Sequence, residues 1–299
     1  MDKTEAGNPG AGFQYLINCM KSNIRRASEL TGRNTILYFS SFLHKPSFSD
    51  TAINDKDINA FMEAVYKMDR TRGLDIILHT PGGDIAATEQ IIYYLHSHFN
   101  NDIRAIVPQM AMSAGSIIAV SCRSIIMGRQ SCLGPFDPQI NNMPSQSVVR
   151  EFYKAVDDVR KNPASLGLWQ TIISKLNPTF LTICEQANRL SEELTDTVLK
   201  NSDYDDEIKD RIKKVFGDSE SSKTHSRHIN RGRCREIGLQ IEDLEQNQDF
   251  QDTVLTTHHC CMILSEKTPI LKLVENQIGG SYMLQAPPQP QPTHIVRPR

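Results

Sequence analysis

No apolar run in this 299-residue sequence approaches the roughly 20 residues a helix needs to cross a bilayer; the longest, Gly115 to Val120, is far too short. The first residues, MDKTEAGNPGAG, lack the basic-then-apolar order of a secretory leader. No C-x-x-C pair occurs among the seven cysteines (Cys19, Cys122, Cys132, Cys184, Cys234, Cys260 and Cys261), and such scatter fits a reducing compartment better than a disulfide framework. A soluble, cytoplasmic protein without a transmembrane segment is expected.

An excess of one charge is also missing. The chain carries 33 basic and 35 acidic side chains for a formal charge of −2, which gives no reason to expect nucleic acid as a partner. With 39% apolar and 23% charged residues it is neither disordered nor too short to bury a core. No internal repeat is present. The signatures G-x-G-x-x-G, G-x-x-x-x-G-K-[ST], H-E-x-x-H and G-x-S-x-G are absent, so no cofactor is expected.

Periodicity supplies the fold class. Phe13 to Leu30 has helical spacing and Gly32 follows as a stop, Thr35 to Phe39 reads as a buried strand, and Asp57 to Met68 reads as a helix. Strands at Leu74 to His79, Ile103 to Val107 and Ser124 to Met127 alternate with a helix over 86–98 and a short apolar segment over Ser113 to Val120. This alternation predicts βαβ units, a largely parallel sheet and an α/β fold. Beyond Gln139, Val149 to Val159 and Phe180 to Leu199 read as helices and strand signals thin out, predicting a helical C-terminal portion peripheral to the sheet. Expected segments are an N-terminal part with an amphipathic helix (1–32), a core (33–200), a charged loop or linker (201–224), the rest of the domain (225–285) and a proline-rich disordered tail (286–299).

Two strand ends stand out because they offer backbone amides. Thr80-Pro-Gly-Gly-Asp84 ends a strand and opens a helix, so Gly82 and Gly83 can expose N–H groups with no Cβ in the way. Met110-Ala-Met-Ser-Ala-Gly-Ser116 joins a strand to an apolar helix and sets the Ser113 hydroxyl at its N-terminus beside Ala114, where a developing anion gains from free amides. Either segment alone reads as an ordinary turn or cap. Together, in one α/β unit, they read as an oxyanion hole facing a nucleophile, with His79 as a possible lining residue.

The runs LDIILHTPGGDIAATEQIIYYL and IRAIVPQMAMSAGSIIAVSCRSIIMGRQSCLGPFDPQ resemble the serine dehydrogenase proteinase family, Clp-fold serine proteinases similar to Clp protease and signal peptide peptidase A. The likeness is close over 74–139 and looser from about 33 to about 280. It implies a crotonase-like ββα spiral, Ser113 as nucleophile and oxyanion amides at Gly83. Clp-type proteases place a histidine soon after the serine; here that stretch reads Leu133-Gly-Pro-Phe-Asp-Pro138, without one. The family's Ser, Asp, His order assigns the acid to Asp137, and Lys223-Thr-His-Ser-Arg-His-Ile229 resembles its Thr-His-Asp segment, which makes His225 the first base and His228 the second. Ser226 stands where relatives carry aspartate. A Ser–Lys dyad using Lys154 is the competing arrangement, and it requires a desolvated lysine.

Each of these residues has an ordinary reading too: Asp137 as a turn cap, His225 and His228 as solvated neighbours of a charged loop, Lys154 on a solvated helix face, His79 as a strand-end residue. His258-His-Cys-Cys261 lacks the spacing of metal ligands, and no metal is assigned. The expected function is an intracellular serine peptidase acting on protein or peptide through an acyl-enzyme, assembled as a homo-oligomer. The alternatives are a catalytically silent Clp-fold assembly or binding module and a crotonase-type acyl-thioester enzyme.

Overall fold

The structure is a computed structural model and describes residues 9–222 and 224–288. The chain begins with α1 (Pro9–Thr31), stopped by Gly32 at φ +69°, and enters β1 (Asn34–Ser40). Then follow α2 (Asp57–Val65), β2 (Leu74–His79), α3 (Ile85–Phe99), β3 (Ile103–Val107), the short β4 (Met110–Ala111), α4 (Ala114–Ser121), β5 (Ser124–Met127) and the short β6 (Cys132–Leu133). The second half comprises a small hairpin, β7 (Gln139–Ile140) and β8 (Met143–Pro144), then α5 (Ser145–Lys161), α6 (Leu166–Ile173), α7 (Phe180–Lys200), α8 (Asp206–Ile212) and α9 (Ser219–Ser222). It closes with β9 (Ile229–Asn230), α10 (Arg231–Ile237), β10 (Ile241–Asp243), α11 (Gln248–Lys267), β11 (Ile270–Asn276) and β12 (Ser281–Gln285).

Seven strands form the main sheet in the order β10-β5-β3-β2-β1-β11-β12. The pairings from β10 to β1 are parallel, whereas β11 is antiparallel to β1 and β12 to β11. Because helices cover both faces, β1 and β2 are buried along their whole length, which is why apolar residues dominate them, while the buried Asp75 is paired with Arg33 and Arg104. On one face α1 and α11 enclose Met20, Ile24, Leu37, Phe39, Ile77, Val254 and Leu264. On the other, α2, α3, α4 and α7 pack over Ile36, Ile76, Leu78, Ile91, Ile117 and Leu194. Among the described residues no helix is long and apolar enough to cross a membrane.

The α/β expectation holds, and the first half falls within a few residues of its predicted elements. Two expectations for the second half are corrected. Its strands are not peripheral: β10 and β11 both join the main sheet, and β11 is buried throughout. Lys272 and Glu275 disguise β11 in the sequence, yet the Lys272 ammonium lies fully buried, 2.6 Å from Asp57 Oδ2, and donates to the Ala52 carbonyl at 2.7 Å. Its charge is compensated inside the fold, so an apparently half-exposed pattern becomes an interior strand. The charged stretch 201–224 is not an open linker, since Ile208, Ile212 and Phe216 recur at helical spacing, α8 forms, and Ile212 and Phe216 are buried. The tail expected over 286–299 lies outside the described residues from position 289 onward, as do residues 1–8.

Candidate active site

A second sheet of three short strands, β4-β6-β9, carries the site. β6 runs parallel to β4 (Met110 opposite Cys132, Ala111 opposite Leu133) and β9 runs antiparallel to β6 (Leu133 opposite Ile229). Ser113 comes just after β4, Asp137 after β6, and His225 just before β9. Strand directions therefore deliver all three to the same end of this sheet, and with strands about 4.8 Å apart its outer members are separated by about 10 Å.

Each position is fixed locally. Ser113 adopts φ +51°, ψ −124° at the turn from β4 into α4, a region that non-glycine residues enter only under constraint, at roughly 1–3 kcal/mol. The constraint comes from both sides. Thr80 bridges to Ala111, with Thr80 N–H donating to the Met110 carbonyl (3.2 Å) and Met112 N–H to the Thr80 carbonyl (2.9 Å). Ser116 Oγ donates to the Ala111 carbonyl (2.7 Å) and accepts from Gly134 N–H (2.8 Å), which ties the elbow to the segment carrying Asp137. Such a strained strand-to-helix turn is the geometry that exposes a nucleophilic hydroxyl, reached here without a G-x-S-x-G sequence.

The glycine turn lies directly against this elbow. A Cβ on Gly82, whose φ is +90°, would sit 2.6 Å from Ser113 Cβ and 2.8 Å from Ala114 N, so glycine is required both by conformation and by contact. At Gly83 the limit is the Ile53 backbone, 2.3 Å from where a Cβ would stand. Ile53 N–H donates to the Gly82 carbonyl (2.8 Å) and the Ile53 carbonyl accepts from Asp84 N–H (2.9 Å), clamping the turn. Asp84 then caps α3 by accepting from Ala87 N–H at 2.8 Å. Among the described residues the N–H groups of Gly83 and Ala114 donate to no acceptor. Each of the two abutting loops thus carries one unused amide, that of Ala114 standing at the N-terminal end of a buried helix.

Asp137 and His225 form a pair, with Oδ1 and Nδ1 2.9 Å apart. The carboxylate is almost wholly buried, its second oxygen accepts from Gln139 Nε2 at 2.8 Å, and the imidazole keeps 29% of its side chain open. A carboxylate at Nδ1 holds the proton there and leaves Nε2 with a lone pair. Phe136 anchors the loop by stacking on Phe216 (5.4 Å, 9° between planes) and by a 2.9 Å hydrogen bond from its N–H to the Phe216 carbonyl. The Ser113 hydroxyl caps no amide of α4 and hydrogen-bonds to nothing among the described residues.

Other sequence candidates lie elsewhere. Lys154 is exposed on α5, 3.7 Å from Glu151, and so is not the desolvated lysine that a Ser–Lys dyad needs. His228 is exposed and lines a cavity bounded by α8, β9 and α10. His79 is fully buried: it points to the α1/α11 face, stacked on Phe39 (4.9 Å) and edge-on to His258 (4.8 Å), with neither ring nitrogen hydrogen-bonded among the described residues. Desolvation, then the charges of His258 and His44, push its pKa well below the usual histidine value. His258 is brought down to about 4 by burial and then by His259. His258 and the two cysteines Cys260 and Cys261 are buried in α11, and no group of three or more metal-ligating side chains is poised for an ion among the described residues. Sequence reading missed Ile53, Gln139 and Ser116. Ser116, inside the AMSAGS motif, carried a signal; the other two act through contacts the sequence does not display.

A largely parallel sheet carrying a serine at a strand-to-helix elbow, beside a glycine turn, is consistent with a ClpP-like fold. The chain belongs to the family described as ClpP-like SDH-type serine proteinase, which matches residues 14–249. Two relatives, both uncharacterized proteins of Methanocaldococcus jannaschii, are similar over much of this span. One is 28% identical over 201 residues, covering 67% of this chain and 62% of the relative. The other is 30% identical over 190 residues, covering 64% and 60%. The match thus spans about three-fifths of each relative's length.

Proposed function

We propose that this protein is a serine peptidase that cuts peptide bonds through an acyl-enzyme on Ser113. What supports the reading is that strand directions send three features toward one end of the small sheet: the Ser113 elbow with the adjoining glycine turn, the unused Gly83 and Ala114 amides, and the Asp137–His225 pair. In the proposed cycle His225 Nε2 takes the Ser113 proton as Oγ adds to the peptide carbonyl, and the two amides hold the resulting oxyanion. His225 then gives that proton to the leaving amine; water, deprotonated by the same nitrogen, adds to the acyl carbon, and as the acid departs Ser113 Oγ takes that proton back from His225. Asp137 holds the imidazole by Nδ1 and offsets the charge it gains. The unbonded Ser113 hydroxyl fits a resting state, because catalytic hydrogen bonds often tighten only when substrate arrives.

The finer fold reading belongs with this proposal. β3 of the main sheet passes through β4 of the small sheet into α4, and β5 passes likewise into β6, a succession that supports a ββα spiral. We also propose a homo-oligomer in a reducing, cytoplasmic setting. Exposed apolar side chains on α5 and α6, among them Tyr153, Val156 and Leu168, support assembly, and the unpaired state of all seven cysteines supports the compartment.

Hydrolysis of an unstructured protein such as casein by the purified full chain tests the activity. Cleavage that disappears in Ser113→Ala, with the oligomer unchanged, is expected. A folded wild-type oligomer that never cleaves supports a silent assembly module instead, and cleavage surviving in Ser113→Ala assigns the chemistry elsewhere.

A further inference from the structure

Beyond the catalytic residues, the segment that follows His225 opens onto a cavity of about 760 Å³ lined by α8, the turn after it, β9 and α10. Four cationic side chains line it, Arg211, Lys214, Arg227 and Arg233, together with His228, and they face one carboxylate, Glu236. In a chain whose basic and acidic residues nearly balance, at 33 and 35, this is a marked local excess. Glu236 is already paired with Arg233 at 2.8 Å. Arg211 and Lys214 stand three residues apart, both are exposed, and neither has an ion-pair partner among the described residues. His228 follows His225 by three residues, so their Cα atoms lie within about 11 Å, the reach of three extended residues. A lining residue of the cavity thus lies within a few residues' span of the His225 backbone.

We infer that the cavity is a subsite for a carboxylate-rich segment of the polypeptide substrate, so that the enzyme favours cleavage near clustered Asp and Glu or near an acidic chain end. The identity of the ligand rests on the peptidase reading; the anion preference rests on the cavity alone. Guanidinium groups take carboxylates in a forked pair of hydrogen bonds, and a concave positive surface raises the local concentration of acidic chains. Such a subsite acts on the encounter and on affinity more than on the chemical step.

Binding can be read without turnover by using the full-length Ser113→Ala protein and two fluorescein-labelled peptides that differ only in three central residues, Glu-Glu-Glu against Gln-Gln-Gln. At low salt the glutamate peptide should bind about tenfold tighter, as a few partly exposed charge contacts allow. Adding Arg211→Gln and Lys214→Gln should remove most of that preference, and so should 0.5 M salt, with the unfolding midpoint of the variant as the check on its fold. Equal affinity for the two peptides overturns the inference, as does a glutamate preference untouched by the two substitutions. Coenzyme A displacing the peptide at lower concentration than free glutamate-rich peptide does also overturns it, since the cavity would then be a phosphate site. A preserved glutamate preference in a protein whose Ser113 never reacts would leave the subsite standing and sink the peptidase reading.

Discussion

Replacing Asp137 by asparagine tests the proposed role of His225 as base. The carboxylate accepts two hydrogen bonds, from His225 Nδ1 at 2.9 Å and Gln139 Nε2 at 2.8 Å, and only 1% of it is open to water. An asparagine oxygen can satisfy one of these donors. Its amide then faces the other, and if that is Nδ1 the ring must carry its proton on Nε2, where it cannot accept from Ser113. In the other orientation geometry survives but the negative charge that stabilises the imidazolium is lost. Removing the orienting carboxylate from a Ser-His-Asp arrangement costs about 10⁴ in rate, close to 5.5 kcal/mol. Because 29% of His225 is exposed, water can stand in for part of that support, and the expected loss here is roughly 10²–10⁴. The assay is the second-order rate of modification by a fluorophosphonate, which needs the base but no known substrate. Urea unfolding in parallel should change little, since the substitution removes a buried charge and leaves a partner that can reach solvent. A folded Asp137→Asn protein reacting within a factor of about three of wild type would refute the role given to the pair.

Gly83→Ala puts a methyl group 2.3 Å from the Ile53 backbone, so the turn must move and carry its amide out of place; fluorophosphonate reactivity should fall about 10²–10³-fold, the usual effect of losing one oxyanion donor, and an unchanged rate in folded protein would exclude that amide from the site. Lys154→Ala, at an exposed side chain, should leave reactivity unchanged, whereas a loss of tenfold or more would revive the Ser–Lys arrangement. Acid should destabilise the fold through His258, which burial keeps neutral down to about 4 against an ordinary 6.5. The unfolded chain takes up the proton first, so stability is full above pH 6.5 and declines as pH falls toward 4, by about 3 kcal/mol in all. His79 shifts in the same direction. Urea midpoints between pH 7.5 and 4.5 should fall less in His258→Gln than in wild type, and equal declines would contradict this origin.

β1, β2, β3 and β5 are plain in the sequence because both faces of the sheet are covered there, so apolar residues dominate them despite the buried Asp75–Arg104 pair, and the helices carry a clear stripe. β11 escapes because Lys272 and Glu275 break its run, and only the fold shows that Asp57 neutralises the lysine. Ser113 and the glycine turn are readable because amide-donating turns have few residue choices. The Asp137–His225 pairing joins positions 88 apart in sequence, and only the β6–β9 register brings them together. The likeness of the surrounding segments to a known family, rather than any local pattern, pointed to those two residues. His79 shows the opposite failure: its place beside the glycine turn suggested a pocket, but strand alternation turns it to the other face of the sheet.

The most direct test of the central claim is to treat the full-length protein with a fluorophosphonate, digest it and locate the adduct by mass spectrometry. A single modification on Ser113, lost when the protein is unfolded beforehand, is the predicted result. A folded protein modified at some other serine, or not modified at all, would contradict it.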